Sequence, residues 1–185
     1  MSRGSFDHFH LPDSDGGACY FRCGFGLKPE QTRRGIVSRT HQIDEETFRA
    51  ILPEQIDWRP FAAFPPDVRL AVVVGHPAEP GPYLIRVKAP LGAKLMPHRH
   101  PEDRIYTVIS GVFYIGFGDK FDGETVTAYP PGTVLVLPGD TWHFHWAKSG
   151  EYVTQVTAIG PLGLEYANAA DDPRQSSVNQ QAHVS

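Results

Sequence analysis

The chain has 185 residues, a formal net charge of −4 and no run of basic residues, which argues against nucleic acid as a partner. No apolar stretch reaches membrane-spanning length, and the first residues lack the apolar core of a signal peptide. Hydrophobic residues make up 41% of the chain and charged residues 21%, which predicts a globular protein. The two cysteines, Cys19 and Cys23, are too few for a disulfide framework, and from the missing signal and membrane segments we expect a cytoplasmic protein that does not contact a membrane.

Glycine and proline set the domain organisation that we predict. The 18 glycines and 17 prolines favour short strands joined by turns over long helices. We expect a loose arm at residues 1–40, because no periodic pattern persists there, and a helix with a linker at 41–66. A β-rich domain should cover 67–165, and a loose tail should follow at 166–185.

One short helix is predicted from Asp44 to Leu52. Asp44 can cap its first turn, and acidic residues follow the cap. Phe48, Ile51 and Leu52 would share one apolar face, and Pro53 would end the helix.

Beyond this helix the sequence alternates between short apolar runs and turns. The runs that read as strands lie at residues 69–74, 83–88, 104–109, 112–117, 124–129, 133–137 and 152–159. Their β-branched and aromatic content, with turns every 8–12 residues, predicts an antiparallel sandwich or barrel.

Two histidine pairs lie within this region. His98 and His100 are two residues apart, so an extended strand would direct both imidazoles to one face. His143 and His145 have the same spacing, and one of them can supply a third nitrogen from a neighbouring strand. Neutral imidazole suits zinc, iron, nickel and copper, and three protein ligands with open positions are typical of a catalytic metal.

The residues around both pairs resemble the two sequence motifs of the cupin family. The first run is Gly92, five residues, His98, one residue, His100, three residues, Arg104, six residues and Gly111. The second run is Gly132, five residues, Pro138, Gly139, Asp140, two residues and His143.

This resemblance implies an all-β fold, an antiparallel double-sheet jelly-roll barrel of the cupin-2 and RmlC-like kind. It implies one divalent metal ion, Fe, Zn, Mn or Ni, bound by His98, His100 and His143 in the mouth of the barrel. Two departures are minor: Ala147 replaces an asparagine, and Asp140 replaces a glycine whose turn Gly139 can supply.

Arg104 is the departure that touches the chemistry, because the family has a metal-binding glutamate there. In one interpretation Arg104 pairs with Glu102 or Asp103, and a neutral three-histidine site keeps its metal. In a second, it points into the pocket and clamps a substrate carboxylate. In a third, metal binding is lost and the barrel is a metal-free scaffold. Glu102 could also replace the lost oxygen ligand, although Pro101 interrupts the strand alternation that would direct it inward.

Two further residues are candidates for a catalytic role. His145 faces the same way as His143 and can be a fourth ligand, a general base or a core histidine. Tyr106 shares the inward face with Arg104 and forms either a pocket wall or part of the core.

The resemblance favours an enzyme that acts on a small-molecule substrate. If Arg104 clamps a carboxylate, as in the second interpretation, this substrate is anionic. Dioxygenase-type oxidative cleavage of a dicarbonyl or a similar compound is the leading prediction, with iron as the metal. Isomerase or hydrolytic chemistry would suit zinc or manganese, and a non-catalytic or metal-free binding or sensor module is the alternative. The edge strands of a sheet expose unpaired backbone groups, and members of the family often cover them by pairing the edge strands of two subunits. We therefore also expect a homodimer.

Overall fold

The computed structural model describes residues 48–175, which fold into two antiparallel β-sheets. The strands are β1 (Arg59–Pro60), β2 (Arg69–Val74), β3 (Gly81–Ala89), β4 (Lys94–Arg99), β5 (Arg104–Ser110), β6 (Phe113–Phe117), β7 (Thr127–Tyr129), β8 (Val134–Leu137), β9 (His143–Trp146), β10 (Tyr152–Gly160) and β11 (Glu165–Tyr166). Two short 3₁₀ helices, Pro53–Gln55 and Ala169–Asp171, flank the strands. The predicted all-β antiparallel class is confirmed.

The strands do not pair in chain order. One sheet has the order β1-β2-β3-β10-β5-β8 and the other β11-β4-β9-β6-β7. The chain therefore crosses repeatedly between sheets, and β4 lies beside β9 although more than forty residues separate them in sequence. This pairing unites the two histidine pairs in one sheet, as the double-sheet jelly-roll architecture predicts.

The core forms because inward-facing residues alternate along the strands. In β3, Tyr83, Ile85, Val87 and Ala89 are buried, whereas the residues between them are partly exposed. These side chains belong to one apolar cluster with residues of the facing sheet such as Phe113. Two sheets that bury one face each need this period of two.

The predicted helix is wrong within the described residues. Its first residues lie outside the described range, and from Phe48 to Leu52 the chain is not helical. Leu52 is extended, with φ −77° and ψ 155°, because the ring of Pro53 disfavours a helical conformation in the preceding residue. Phe48 is 97% exposed, so it does not pack against the rest of the protein. The packing energy that would stabilise a short helix is therefore missing.

The strands extend slightly beyond the predicted β-rich domain of residues 67–165, from Arg59 to Tyr166. β1 lies in the predicted linker and pairs with β2, and the last strand ends at Tyr166. The predicted arm at residues 1–40 and the end of the tail, residues 176–185, lie outside the described residues. No helix within residues 48–175 has the length and hydropathy required to cross a membrane.

Candidate metal centre

The pairing of β4 with β9 creates the candidate site. Leu95 pairs with His145 and His98 pairs with His143, so two residues of β4, Met96 and Pro97, lie opposite one residue of β9, Phe144. This bulge lies at Pro97, which has no N–H to donate to a neighbouring strand. The bulge places His98, rather than Pro97, opposite His143.

The turn before β9 also fixes the position of its histidines. Asp140 has a φ of 59°, the left-handed conformation that Asp tolerates better than most residues. Asp140, and not Gly139 as we expected, therefore adopts the turn conformation in place of the family's glycine. Gly139 is needed for a different reason, because a Cβ there would collide with the carbonyl oxygen of Pro101.

His98, His143 and His145 form a compact group. One potential ligand atom from each lies within 4.8 Å of the others, and all three side chains are buried. A metal–nitrogen distance of about 2.1 Å allows two ligand nitrogens to lie up to about 4.2 Å apart. Small rotations of these rings would therefore give a geometry that binds a metal.

Backbone carbonyls fix the orientation of two of these rings. The Nδ1 of His98 donates a hydrogen bond to the carbonyl oxygen of Met96 at 2.7 Å. The Nδ1 of His143 donates to the carbonyl oxygen of Thr141 at 2.8 Å. Since a carbonyl can only accept, each ring carries its proton on Nδ1 and presents the lone pair of Nε2.

Unpaired nitrogen atoms show that the group fits a metal. The Nε2 atoms of His143 and His145 are buried and make no hydrogen bond. Buried polar atoms without a partner are rare and need an explanation. A bound cation would satisfy both.

The three rings are neutral near pH 7. Burial lowers the pKa of His143 to about 4. Burial, followed by the charge of neighbouring His143, lowers the pKa of His98 and of His145 well below the usual range. Neutral imidazole is the form that binds a metal.

His100 lies beside this group. Its ring centroid is 5.1 Å from that of His98 and 5.5 Å from that of His143. Because β4 ends at Arg99, His100 follows the strand, and its Nδ1 donates a hydrogen bond to the carbonyl oxygen of Gly163 at 2.5 Å. The structure thus places His145, and not His100, in the compact group with His98 and His143.

Arg104 forms a buried ion pair with Glu102. The Nη2 and Nε atoms of Arg104 donate to the same Glu102 oxygen, Oε1, at 2.7 and 3.1 Å. The hydroxyl of Tyr83 also donates to Oε1, at 2.7 Å, and the N–H of Gly163 donates to Oε2 at 3.2 Å. Glu102 is therefore a partner of Arg104 and does not join the compact histidine group.

Asp103 has a separate role. Its Oδ1 accepts a hydrogen bond from the N–H of Gly139 at 2.7 Å, which ties the start of β5 to the turn before β9. Of the two acidic partners that the sequence offered for Arg104, the structure uses Glu102.

Arg104 and Tyr106 both line a small cavity between the sheets. The residues around this cavity are Phe64, Val87, Leu95, His98, His100, Arg104, Tyr106, His145, Thr154 and Val156. Its volume of about 10 Å³ holds one water molecule or one ion and no organic substrate. Burial raises the pKa of Tyr106, and the positive charge of Arg104 opposes this rise.

Sequence reasoning did not identify Tyr83 or Gly163 as contributors to the site. Alternation along β3 predicts that Tyr83 faces inward with Ile85, but it gives no indication of a partner on another strand. Gly163 contacts His100 and Glu102 from about sixty residues away in sequence, and no local pattern marks it.

Comparison with solved structures identifies the fold, whereas comparison with known sequences finds no match. No protein-family model matches the chain, and no curated protein sequence matches it. Among solved structures, the chain is similar to the polyketide cyclase RemF from Streptomyces resistomycificus, with a TM-score of 0.58 and 12% identity over 71% of this chain and 94% of that one.

Two solved cupins are also similar. For a cupin 2 conserved barrel domain protein from Rhodopseudomonas palustris, the TM-score is 0.52 and the identity 17%, over 75% of this chain and 96% of that one. For an RmlC-like cupin protein from Ralstonia eutropha, the values are 0.51 and 19%, over 74% and 87%. Together with the two antiparallel sheets, these similarities show that the chain has the cupin fold.

Proposed function

We propose that this protein is a metal-dependent enzyme that acts on a small oxygen-bearing molecule. His98, His143 and His145 would hold the metal, with His100 beside them. The observation that carries the proposal is the pair of buried Nε2 atoms on His143 and His145 that have no hydrogen-bond partner. A group of neutral, buried imidazoles with free lone pairs has a clear chemical use as a metal site.

The protein would prepare this centre in two ways. The carbonyls of Met96 and Thr141 hold His98 and His143 in the tautomer that presents Nε2. Burial of His98, His143, His145 and the neighbouring His100 excludes bulk water, which strengthens electrostatic interactions within the site. A divalent metal bound there would supply Lewis-acid activation of a substrate oxygen and, in the case of iron, redox chemistry with dioxygen.

Within this class we favour dioxygenase-type cleavage of a dicarbonyl compound with iron as the metal. A ligand set made only of imidazoles suits iron. Among residues 48–175, no carboxylate joins the compact histidine group to reduce the positive charge of a bound metal. The similar structures include the polyketide cyclase RemF and DMSP lyases, so enzymes occur among proteins of this fold. Lewis-acid chemistry with zinc or manganese is the comparison that the experiment must include.

Oxygen uptake tests this proposal. Protein loaded with iron(II) should consume oxygen when a 1,3-dicarbonyl compound is added, either 2,4-pentanedione or its carboxylate-bearing relative 2,4-dioxopentanoate, and zinc-loaded protein should not. His143→Ala, treated identically, is the control for metal carried in solution. Turnover by the zinc-loaded protein without oxygen uptake would replace the oxygenase assignment with Lewis-acid chemistry.

The closed cavity favours one alternative, a binding or sensor module. A volume of about 10 Å³ accommodates an ion but no substrate, so the barrel in this conformation would suit ion binding alone. A metal-loaded protein that binds dicarbonyl compounds or metal without converting any of them would support this alternative.

We also propose a homodimer. Within residues 48–175, β8 is an edge of the six-stranded sheet, and its Val134 and Val136 are 61% and 73% exposed. Ile105, which pairs with Val136, extends this apolar surface. Light scattering should give a dimer mass for the native chain and a monomer mass for Val136→Lys, with Val72→Lys as a control. A monomeric native chain would refute the dimer proposal.

The cytoplasmic location stays a prediction.

A further inference from the structure

We propose that Arg104 is the anion-binding residue of this site and that the substrate is a small carboxylate carrying a second oxygen donor for the metal. Glu102 would then be an internal carboxylate that occupies Arg104 until the substrate replaces it. This inference rests on the proposed function, because it names the substrate class of the same site.

Glu102 binds the guanidinium of Arg104 through only one of its two oxygens. Arg104 is 3% exposed, so its donors need partners inside the protein. Its bonds to Glu102 and Tyr83 use Nε and Nη2, and a further side-chain hydrogen bond joins it to Tyr106, which lines the cavity. Both bonds to Glu102 end on one oxygen, so the pair lacks the two parallel bonds with which Arg binds a carboxylate best.

The position of Arg104 connects this anion site with the candidate metal centre. Arg104 lines the same cavity as His98 and His145. Tyr106, two residues further along β5, lines it as well and presents a phenol to the same space. A small molecule in an enlarged cavity would therefore meet a guanidinium and the metal-binding imidazoles together.

Glu102 lies behind Arg104, outside the residues that line this cavity, and is the group that a substrate carboxylate would replace. It lies in the turn between β4 and β5, so its displacement breaks no pairing between strands. Its second oxygen is held by a bond of 3.2 Å from the N–H of Gly163. Withdrawal of this side chain would vacate the space that its carboxylate occupies against Nε and Nη2 of Arg104, where a carboxylate of the substrate would then bind.

Charge compensation makes this exchange selective. Removing one member of a buried ion pair is strongly unfavourable because the other charge is left without a partner. A carboxylate substrate keeps Arg104 compensated when Glu102 withdraws, whereas an uncharged analogue does not. The site should therefore prefer a carboxylate over an isosteric amide, as sites with buried polar groups do.

Binding of pyruvate and of its uncharged analogue pyruvamide tests this inference. The zinc-loaded protein, titrated calorimetrically, should bind pyruvate at least about tenfold more tightly than pyruvamide. Glu102→Gln removes the internal competitor and should tighten pyruvate binding by about a further tenfold. Pyruvamide binding should change much less.

Two further variants complete the design. The double variant Glu102→Gln/Arg104→Met has neither charge, so it can fold without an uncompensated ion, and it should keep zinc but lose the preference for pyruvate. Arg99→Met removes a partly exposed arginine that pairs with Glu165, and it should leave the preference unchanged. The inference is overturned if Glu102→Gln gains no affinity, or if the double variant still prefers pyruvate.

The same variants separate this inference from the proposed function. A native chain that binds no zinc would contradict the metal site, and the titrations would then be repeated with metal-free proteins. A pyruvate preference in Glu102→Gln that is absent from the double variant would still support Arg104 as the anion site. Equal binding of both probes by these two variants would overturn it.

Discussion

At the scale of single residues, the ion pair between Arg104 and Glu102 determines the character of the site. Arginine occupies the position where cupins have a metal-binding glutamate, so it removes one oxygen ligand and adds a positive charge. Glu102, two residues earlier, cancels this charge at a distance of 2.7 Å. The histidine group is thereby protected from a nearby unbalanced cation, which would oppose binding of a metal.

The stability of this pair gives a prediction. Arg104→Met should lower the free energy of unfolding by about 3–5 kcal/mol, because Glu102 would stay buried without its partner. The double variant Glu102→Gln/Arg104→Met should recover most of this loss. Urea denaturation of the native, single and double variants measures both changes. If the losses from Glu102→Gln and Arg104→Met are simply additive, the two side chains do not stabilise each other as the structure indicates.

At the scale of strands, the register of β4 and β9 assembles the candidate metal centre. Phe144 lies between His143 and His145, and its ring packs against Gly116 of β6, where there is no room for a side chain. β6 thus holds β9 from one side while β4 pairs with it from the other.

This contact can be tested with Gly116→Ala. The new Cβ would collide with the ring of Phe144, so we expect the free energy of unfolding to fall by about 1–3 kcal/mol. Metal affinity should fall too, because Phe144 is bonded directly to His143 and His145. Gly150→Ala is the matched control, since a Cβ there meets nothing within 4 Å. Equal stability of the two variants in thermal and urea denaturation would contradict this account of the packing.

The sequence predicts most strands because apolar alternation and turn residues are local signals. The run at 69–74 matches β2 from Arg69 to Val74, whereas the run at 124–129 shortens to Thr127–Tyr129. The motif spacing also locates His98 and His143, which the structure pairs directly.

The ligand set is less accessible to sequence reasoning because it depends on the register between strands. Alternation treats His98 and His100 as equivalent, but β4 ends at Arg99 and its bulge changes the pairing with β9. Pro97 is the one local signal of that bulge. The partners of Glu102 and His100 at Gly163 come from the far end of the chain and have no local signal.

At the scale of the whole molecule, four buried neutral histidines make the stability of the metal-free protein depend on pH. Burial is the first cause that lowers the pKa of His98, His100, His143 and His145 in the folded state. In the unfolded chain they titrate near 6.5, so the unfolded state binds more protons as the pH falls below that value. Stability is therefore greatest above pH 6.5 and falls as the pH decreases below that value. The contribution of His143 is fully lost near pH 4, whereas the other three histidines, with lower pKa values in the folded state, continue to destabilise the protein below that pH.

We expect the metal-free protein to lose about 1 kcal/mol of stability for each of these histidines between pH 7.5 and pH 5.5. Urea denaturation at both pH values, after treatment with a chelator, measures this loss. His145→Gln removes one such group and should reduce the loss by about a quarter. Equal stability at the two pH values would show that the folded chain takes up as many protons as the unfolded chain over this range, which contradicts neutral buried histidines.

Metal content is the most direct test of the three-histidine centre. The native chain, purified without a histidine tag and loaded in turn with iron, zinc and manganese, should hold about one ion per chain by elemental analysis. His98→Ala, His143→Ala and His145→Ala should each lose it, whereas His100→Ala should retain it with weaker affinity. Absence of metal in the native chain after loading would contradict the account, and so would loss in His100→Ala together with retention in His145→Ala.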